Sequence, residues 1–327
     1  MKLPRRFWIH FVVIVVACLP AAVALAAALH SRRIEGGDYV PVSEVAQYYG
    51  LGRNASDDRD IARYRELELQ SERRDVTLNG VQHWLSAPIY SSQGKLWISS
   101  TDVLKALDPV LRQGRAAKPL AVRTIVLDPG HGGNDRGTHG QTGIEKTLTL
   151  DLAKRVKDQL DARGFQVYLT RATDRFVPLE NRTDFAEQKK ADIFVSIHLN
   201  SGGNAEGIET FCLPPANAVS TAATFRGWQA TRDRTSDTCN RNDEQNVWLA
   251  HCVQKSLLQA TGANDRGVRR AHFVVIRDTV CPAILVEAGF LTNSGEERKL
   301  LNAEHRDRLA KAIAEGVLSY KAGAQKQ

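Results

Sequence analysis

Three short apolar runs, each closing on or leading to a residue that can ligate a metal or move a proton, limit what this chain can fold into more than any other feature. Residues 124–127 (TIVL) lead through Asp128-Pro129-Gly130 to His131, which sits in a loop with glycines at 130, 132 and 133. Glycine there lets backbone approach a ligand closely. Residues 192–200 (DIFVSIHLN) carry His198 near their end, and residues 282–290 (PAILVEAGF) carry Glu287. The carboxyl ends of parallel strands in an open α/β sheet share one rim, where ligands bind, so His131, His198 and Glu287 are expected to converge. Glu145 opens an amphipathic helix with Leu148, Leu152, Val156 and Leu160 at the spacing of one face, and it can point back at the same rim.

Two neutral imidazoles and a carboxylate suit Zn2+, and three protein ligands leave a fourth position for water, as catalytic zinc sites do. A further carboxylate beside it can move protons. His139, His251, His272 and His305 are also present, and a lone histidine is more often a surface or core residue than a ligand; convergence is what singles out the rim. Two neighbours keep two readings each. Asp128 either orients His131 as an acceptor for its second ring N–H or simply forms the turn before proline, and Asn200 either contacts substrate or caps the loop after its strand.

The segments LDPGHGG (127–133), GIEK (143–146), SIHLNS (196–201), DRGVRRAHFVVIR (265–277) and ILVEAGFLTN (284–293) resemble the zinc-dependent N-acetylmuramoyl-L-alanine amidases of the amidase-3 type, over roughly residues 122–320. The resemblance implies His131, Glu145 and His198 as zinc ligands and Glu287 as the catalytic carboxylate, which takes a proton from water and passes it to the leaving amine. It also implies the substrate: the amide between the lactyl group of N-acetylmuramic acid and L-alanine in peptidoglycan, cut in wall remodelling or daughter-cell separation. Leu199 departs from the smaller residue often found before the asparagine, which bears on pocket shape. Two rivals stand beside this reading. One is a zinc peptidase acting on stem peptides, and the other is a catalytically inactive wall-binding protein, against which the presence of all four motif residues argues.

A chain of 327 residues exceeds the usual single domain, so a large and a small domain are expected. The alternation of strand and helix after residue 122 predicts an α/β fold: a mostly parallel twisted sheet with helices on both faces, with strands that include 272–277 and a last helix ending near Tyr320. A small α+β module over 38–115 precedes it, and residues 113–118 read as a linker. The module is predicted to hold a short helix over 42–50, a loop at 53–60, a hairpin at Asn79-Gly80 and a strand at 95–98. Its segments YYGL, LNG and GKLWISSTDVLKALDP are similar to the small copper-amine-oxidase-type N-terminal domain of some bacterial cell-wall proteins, although nothing suggests copper. Binding to wall or to a regulatory partner is one reading of the module; a spacer or folding aid is the other.

Lys2, Arg5 and Arg6 precede an apolar stretch over residues 7–29, which reads as a cleaved export signal or an inner-membrane anchor. Val15-Val16-Ala17-Cys18 also loosely matches a lipoprotein processing site. Each version places the bulk of the protein outside the cytoplasm, in the periplasm or cell envelope. The net charge of +7 includes those three residues, and the remaining excess is compatible with anionic wall polymers but too small to argue for nucleic acid. Outside the apolar stretch, Cys212, Cys239, Cys252 and Cys281 form either two disulfides of open connectivity or buried thiols. Residues 214–243 are a polar insertion, of the length that in compact domains is functional or disordered. In septal members of the resembled family this region holds a helix that occludes the active site. Here no apolar helical face is evident, which favours a substrate lip or mobile loop.

Overall fold

The computed structural model describes residues 29–52, 60–112, 121–216, 218–222 and 236–325. The expected export segment up to residue 28, the loop at 53–59, the linker at 113–118 and the middle of the insertion, 223–235, lie outside the described residues. Among the described residues, no helix is long and apolar enough to cross a membrane.

In the amino-terminal part, strands β1 (Arg32–Ile34) and β2 (Gly37–Pro41) lead into helix α1 (Val42–Tyr49). Then come β3 (Ile61–Arg63), β4 (Leu67–Gln70), β5 (Asp75–Leu78), β6 (Val81–Trp84), β7 (Tyr90–Ser92) and β8 (Lys95–Ser99). Helix α1 ends where Gly50 takes a left-handed conformation, the usual stop signal. Asn79 and Gly80 have φ of 48° and 80°, the two positive values that a tight hairpin turn of the primed type needs, so β5 and β6 pair as the Asn-Gly step predicts.

The larger part runs β9 (Thr124–Pro129), α2 (Glu145–Asp161), β10 (Gln166–Leu169), α3 (Leu179–Gln188), β11 (Ile193–Asn200) and β12 (Ile208–Cys212). It continues through α4 (Asp243–Thr261), β13 (Asp265–Arg270), α5 (Val274–Arg277), β14 (Ala283–Phe290), α6 (Ser294–Leu301) and α7 (Ala303–Gln325). Strands β10, β9, β11 and β14 are mutually parallel. Their runs are apolar on both faces because both faces are covered, as parallel sheets require. Ile125, Leu127, Val195 and Ile197 pack against Leu152 and Val156 of α2 and Ile313 and Val317 of α7. Val126, Phe194 and Leu285 turn the other way, onto Ala186 of α3 and Val275 and Ile276 of α5.

One sheet of ten strands carries this core, in the order β10-β9-β11-β14-β12-β13-β6-β5-β4-β3. Strand β12 runs antiparallel to β14 and parallel to β13, and β6 of the amino-terminal part runs parallel to β13. The hairpins over residues 61–84 therefore extend the sheet of the larger part, while β1-β2-β8-β7 form a second sheet of four.

Three expectations are corrected. Residues 272–277 are not a strand: the strand is β13, and Val274–Arg277 is a helical turn. The β-branched composition of HFVVIR suggests a strand, but one turn of helix buries Val275 and Ile276 together, and packing overrides propensity. The disulfide alternative is not realised either: Cys212, Cys239, Cys252 and Cys281 are all buried free thiols, and burial raises the Cys252 and Cys281 thiols well above their ordinary value. The last helix also runs beyond Tyr320, to Gln325.

Candidate metal centre

Register across the central strands brings the motif residues to one rim. His198 on β11 lies directly opposite Glu287 on β14, and Glu287 lies opposite Glu209 on β12. Residues opposite one another on neighbouring strands share a face, so His198, Glu287 and Glu209 form a row. His131 arrives from the neighbouring β9, two residues beyond the strand.

The loop that carries His131 is held by backbone contacts. The Gly130 N–H donates to Ile197 O at 3.0 Å, and Arg171, buried beneath the loop, donates from Nε to Pro129 O at 2.9 Å and from Nη2 to Gly130 O at 2.7 Å. Arg182 Nη2 donates to His131 O at 3.0 Å. His131 itself has φ of +62°, a conformation few non-glycine residues adopt and one that surrounding contacts must hold. At position 130 only glycine fits, because a Cβ there would lie 2.3 Å from the His198 ring.

Glu145, the first residue of α2, is buried among both histidines. His131 Nε2 lies 3.0 Å from its Oε1 and His198 Nδ1 2.9 Å from the same oxygen. The Leu199 N–H donates to Oε1 at 3.1 Å and the Thr138 N–H to Oε2 at 2.7 Å. Burial alone would raise this carboxyl, but the hydrogen bonds and charges of His131 and His198 outweigh it and hold Glu145 well below the usual carboxylate range. The imidazole rings stand edge to face, with centroids 4.9 Å apart. Donor atoms of His131, Glu145 and His198 all lie within 4.8 Å of one another, the one such group of three among the described residues.

Asp128 does not touch His131. Its carboxylate is buried and accepts from Arg182 Nη1 at 2.7 Å, Thr170 Oγ1 at 2.6 Å and Ser196 Oγ at 2.8 Å. The acceptor on His131 Nδ1 is Asp135 Oδ2, at 2.9 Å. Asp135 is steadied in turn by the Gly137 N–H on its other oxygen at 3.1 Å. The only sequence signal for it is its place four residues beyond His131, inside a glycine-rich loop. Asn200 caps the loop after β11, its Oδ1 accepting from the Ser201 N–H at 2.7 Å, and its Nδ2 donates to Glu209 Oε1 at 2.6 Å. Glu209, Arg171 and Arg182 were not legible as site residues.

Glu287 differs from Glu145 in kind. Its Oε2 is shielded from solvent and has no hydrogen-bond partner among the described residues. Burial pushes this carboxyl well above the usual range, with the negative charges of Glu145 and Glu209 adding to the effect. Of the other histidines, His251 is buried against His83, His272 pairs with Asp237, and burial lowers His305 to about 4.

A sheet rim that gathers two imidazoles and a carboxylate, with a second carboxylate left free beside them, defines a candidate metal-assisted hydrolase. The chain belongs to the amidase-3 family, N-acetylmuramoyl-L-alanine amidase, whose model matches residues 125–319. It is 31% identical over 281 residues to the N-acetylmuramoyl-L-alanine amidase AmiA of Escherichia coli K12, covering 80% of this chain and 95% of that protein. It is 35% identical over 204 residues to the amidase LytC of Bacillus subtilis 168, where the match spans 62% of this chain but only 36% of the relative. Among solved structures, the N-acetylmuramoyl-L-alanine amidase of Clostridium difficile 630 matches with a TM-score of 0.51 at 34% identity, over 64% of this chain and 100% of that one.

Proposed function

We propose that this protein hydrolyses the amide bond between N-acetylmuramic acid and L-alanine in peptidoglycan with a zinc ion held by His131, Glu145 and His198, in a catalytic domain over residues 122–320. The observation that carries the reading is the convergence of His131 Nε2, Glu145 Oε1 and His198 Nδ1 beside a Glu287 oxygen that no other described group engages. This donor set fits zinc: both imidazoles and the carboxylate are ligand types of catalytic sites with an open position. A zinc ion held there would supply Lewis acidity toward an amide carbonyl and lower the pKa of water to about 7.

The chain's own residues do the rest. Asp135 accepts the Nδ1 proton of His131 and so leaves Nε2 facing inward as the electron-pair donor. Glu145 contributes negative charge at the start of α2, fixed by the Thr138 and Leu199 amides. Glu287 accepts the proton of the attacking water at its unengaged Oε2 and returns it to the alanine nitrogen as the C–N bond breaks. General acid–base work favours a group whose pKa lies near the working pH, and burial moves Glu287 in that direction. The substrate lies outside the cytoplasmic membrane, so the catalytic domain works there, in remodelling the wall or separating daughter cells.

Mass spectrometry of muropeptides incubated with the purified protein tests the reaction. Free stem peptides beginning at L-alanine, together with unsubstituted glycan, are the expected products; cleavage between amino acids would instead make it a peptidase. Metal analysis should find about one zinc per chain, lost in His131→Ala and His198→Ala.

A further inference from the structure

Beyond Glu287 the row of rim residues runs on into a groove of about 710 Å³ that includes Asn200, Glu209, Phe211, Arg266, Arg269 and Phe290 in its lining. Its charge is unusual. Glu209 Oε2 accepts from Arg269 Nη1 at 2.8 Å and from Arg266 Nε at 3.1 Å, so two guanidinium groups share one carboxylate oxygen and the set carries an excess positive charge. Arg269 Nε is buried with no hydrogen-bond partner among the described residues. A shielded guanidinium N–H left unpaired costs free energy, and a bound oxygen would satisfy it. Glu209 stands opposite Glu287 on the adjacent strand, and adjacent strands lie about 4.7–4.9 Å apart. The cationic pair therefore sits about one residue's reach from the group that serves the leaving amine.

Arg269 does not stand on catalytic-domain residues alone. The Trp84 ring, from β6 of the amino-terminal part, lies 4.9 Å from its guanidinium carbon, and the Trp84 indole N–H donates to Arg266 O at 3.1 Å. That approach is built into both backbones. The Gln82 N–H donates to Asp265 Oδ2 at 2.7 Å, and a Cβ on Gly267 would lie 2.7 Å from Gln82 O. His83 Nε2 and His251 Nδ1, buried together at 2.9 Å, close the same seam. An aromatic face beneath a guanidinium both attracts it and limits its directions.

We infer that the amino-terminal module completes the substrate groove: Trp84 is a positioning residue that holds Arg269, with Arg266, to bind the free α-carboxylate of the second residue of an acidic stem peptide. The inference rests on the amidase reading. With L-alanine's nitrogen at Glu287, the next residue of the peptide falls over Glu209, and a γ-linked glutamate there presents its α-carboxylate to the two arginines. Carboxylate and guanidinium pair in a two-pronged geometry that an amide cannot match. The module thus backs the arginine wall of the active-site groove from behind, through Trp84.

Two muropeptides that differ only at the second residue, one with the α-carboxylate and one with the carboxamide, test this on the full zinc-loaded chain. The carboxylate form should be preferred in kcat/KM by at least about tenfold, the size of one hydrogen bond to a charged group. Arg269→Gln should erase the preference, with the loss falling on KM. Trp84→Leu should erode it to about threefold or less, a partial loss of the same contact, whereas Trp84→Phe, which keeps an aromatic face, should retain most of it. Thermal melting of each variant accompanies the kinetics, and if Trp84→Leu fails to fold, the contrast between Trp84→Phe and Arg269→Gln decides. Equal cleavage of both muropeptides by the wild type overturns the inference while leaving the amidase reading intact. An undiminished preference in Arg269→Gln overturns it too. Cleavage of neither muropeptide sinks the amidase reading itself.

Discussion

Glu287 stands between two halves of a site that are built in opposite ways. On the β9–β11 side the donor atoms are fully engaged: Glu145 takes both histidines and two backbone amides, and Asp135 secures His131. On the β12–β13 side, two arginines crowd one carboxylate, one N–H is unpaired among the described residues, and the supporting ring comes from Trp84, more than 180 positions away in the chain. The first half is a preorganised donor set. The second has charge and hydrogen-bonding capacity left over, which is what a surface that recognises an anionic ligand needs. Preorganisation belongs where an ion must be gripped, and unspent polarity belongs where a substrate must be read.

The sharpest way to break this comparison is at Glu287. Glu287→Gln should lower muropeptide turnover by ~10² to 10⁴-fold, the range general acid–base catalysis supplies, with zinc content unchanged. Glu145→Gln should instead weaken metal binding, because a neutral oxygen replaces an anionic one. Metal analysis of the two purified variants separates them, and zinc lost from the first but kept by the second would reverse the assignment of the two carboxylates.

Next in size is the foundation of the metal side. Asp128 and Arg182 form a buried ion pair at 2.7 Å. Asp128→Ala strands the guanidinium and should destabilise the fold by about 3–5 kcal/mol, read by denaturant unfolding; a loss below 1 kcal/mol would mean that Thr170 and Ser196 serve the site without the pair.

Asp135→Asn sharpens the comparison without touching the fold. It should cost about 10–100-fold in metal affinity or activity, the usual effect of removing a partner behind a metal-bound imidazole. Chelator competition is the measurement, and unchanged affinity would restrict Asp135 to shaping the loop.

The smallest effect belongs to the seam between module and domain. Burial, with the charge of Lys255 adding, lowers His251 from 6.5 to about 3, and burial together with the charge of His251 also lowers His83 well below 6.5. Between those values the unfolded chain binds a proton that the folded chain refuses, so stability is full above about pH 6.5 and declines as pH falls toward 3. Each pH unit in that window should cost about 1.4 kcal/mol for His251, with His83 acting in the same direction. Melting of His251→Gln against the wild type between pH 7 and 5 checks the sign: the variant should show the shallower loss on acidification.

The motif residues were legible because each belongs to a local pattern: an apolar run that carries or leads to a histidine or glutamate in or beyond a strand's carboxyl half, or an acid at the start of an amphipathic helix. Such patterns also predict the parallel sheet and its two helical faces, since a run buried on both sides can only be an inner strand. Charged strands escape this logic. Strand β13 reads DRGVRR, and its arginines point into a groove and toward Trp84, environments created by neighbours that a local window does not contain. The helical turn at Val274–Arg277 was missed for the converse reason, because its β-branched composition yields to packing against Val126 and Leu285.

Local order along the chain therefore determined which side chains would meet at the rim, because strand direction and the period-two alternation of side chains fix where they point. What the partners of those side chains would be was decided only by tertiary structure. Asp135 rather than Asp128 supports His131, Glu209 joins the row beside Glu287, and β6 continues the catalytic sheet. Hydrogen bonds and ion pairs, within a loop as between distant segments, depend on loop path and strand register, and no periodicity within one segment encodes these.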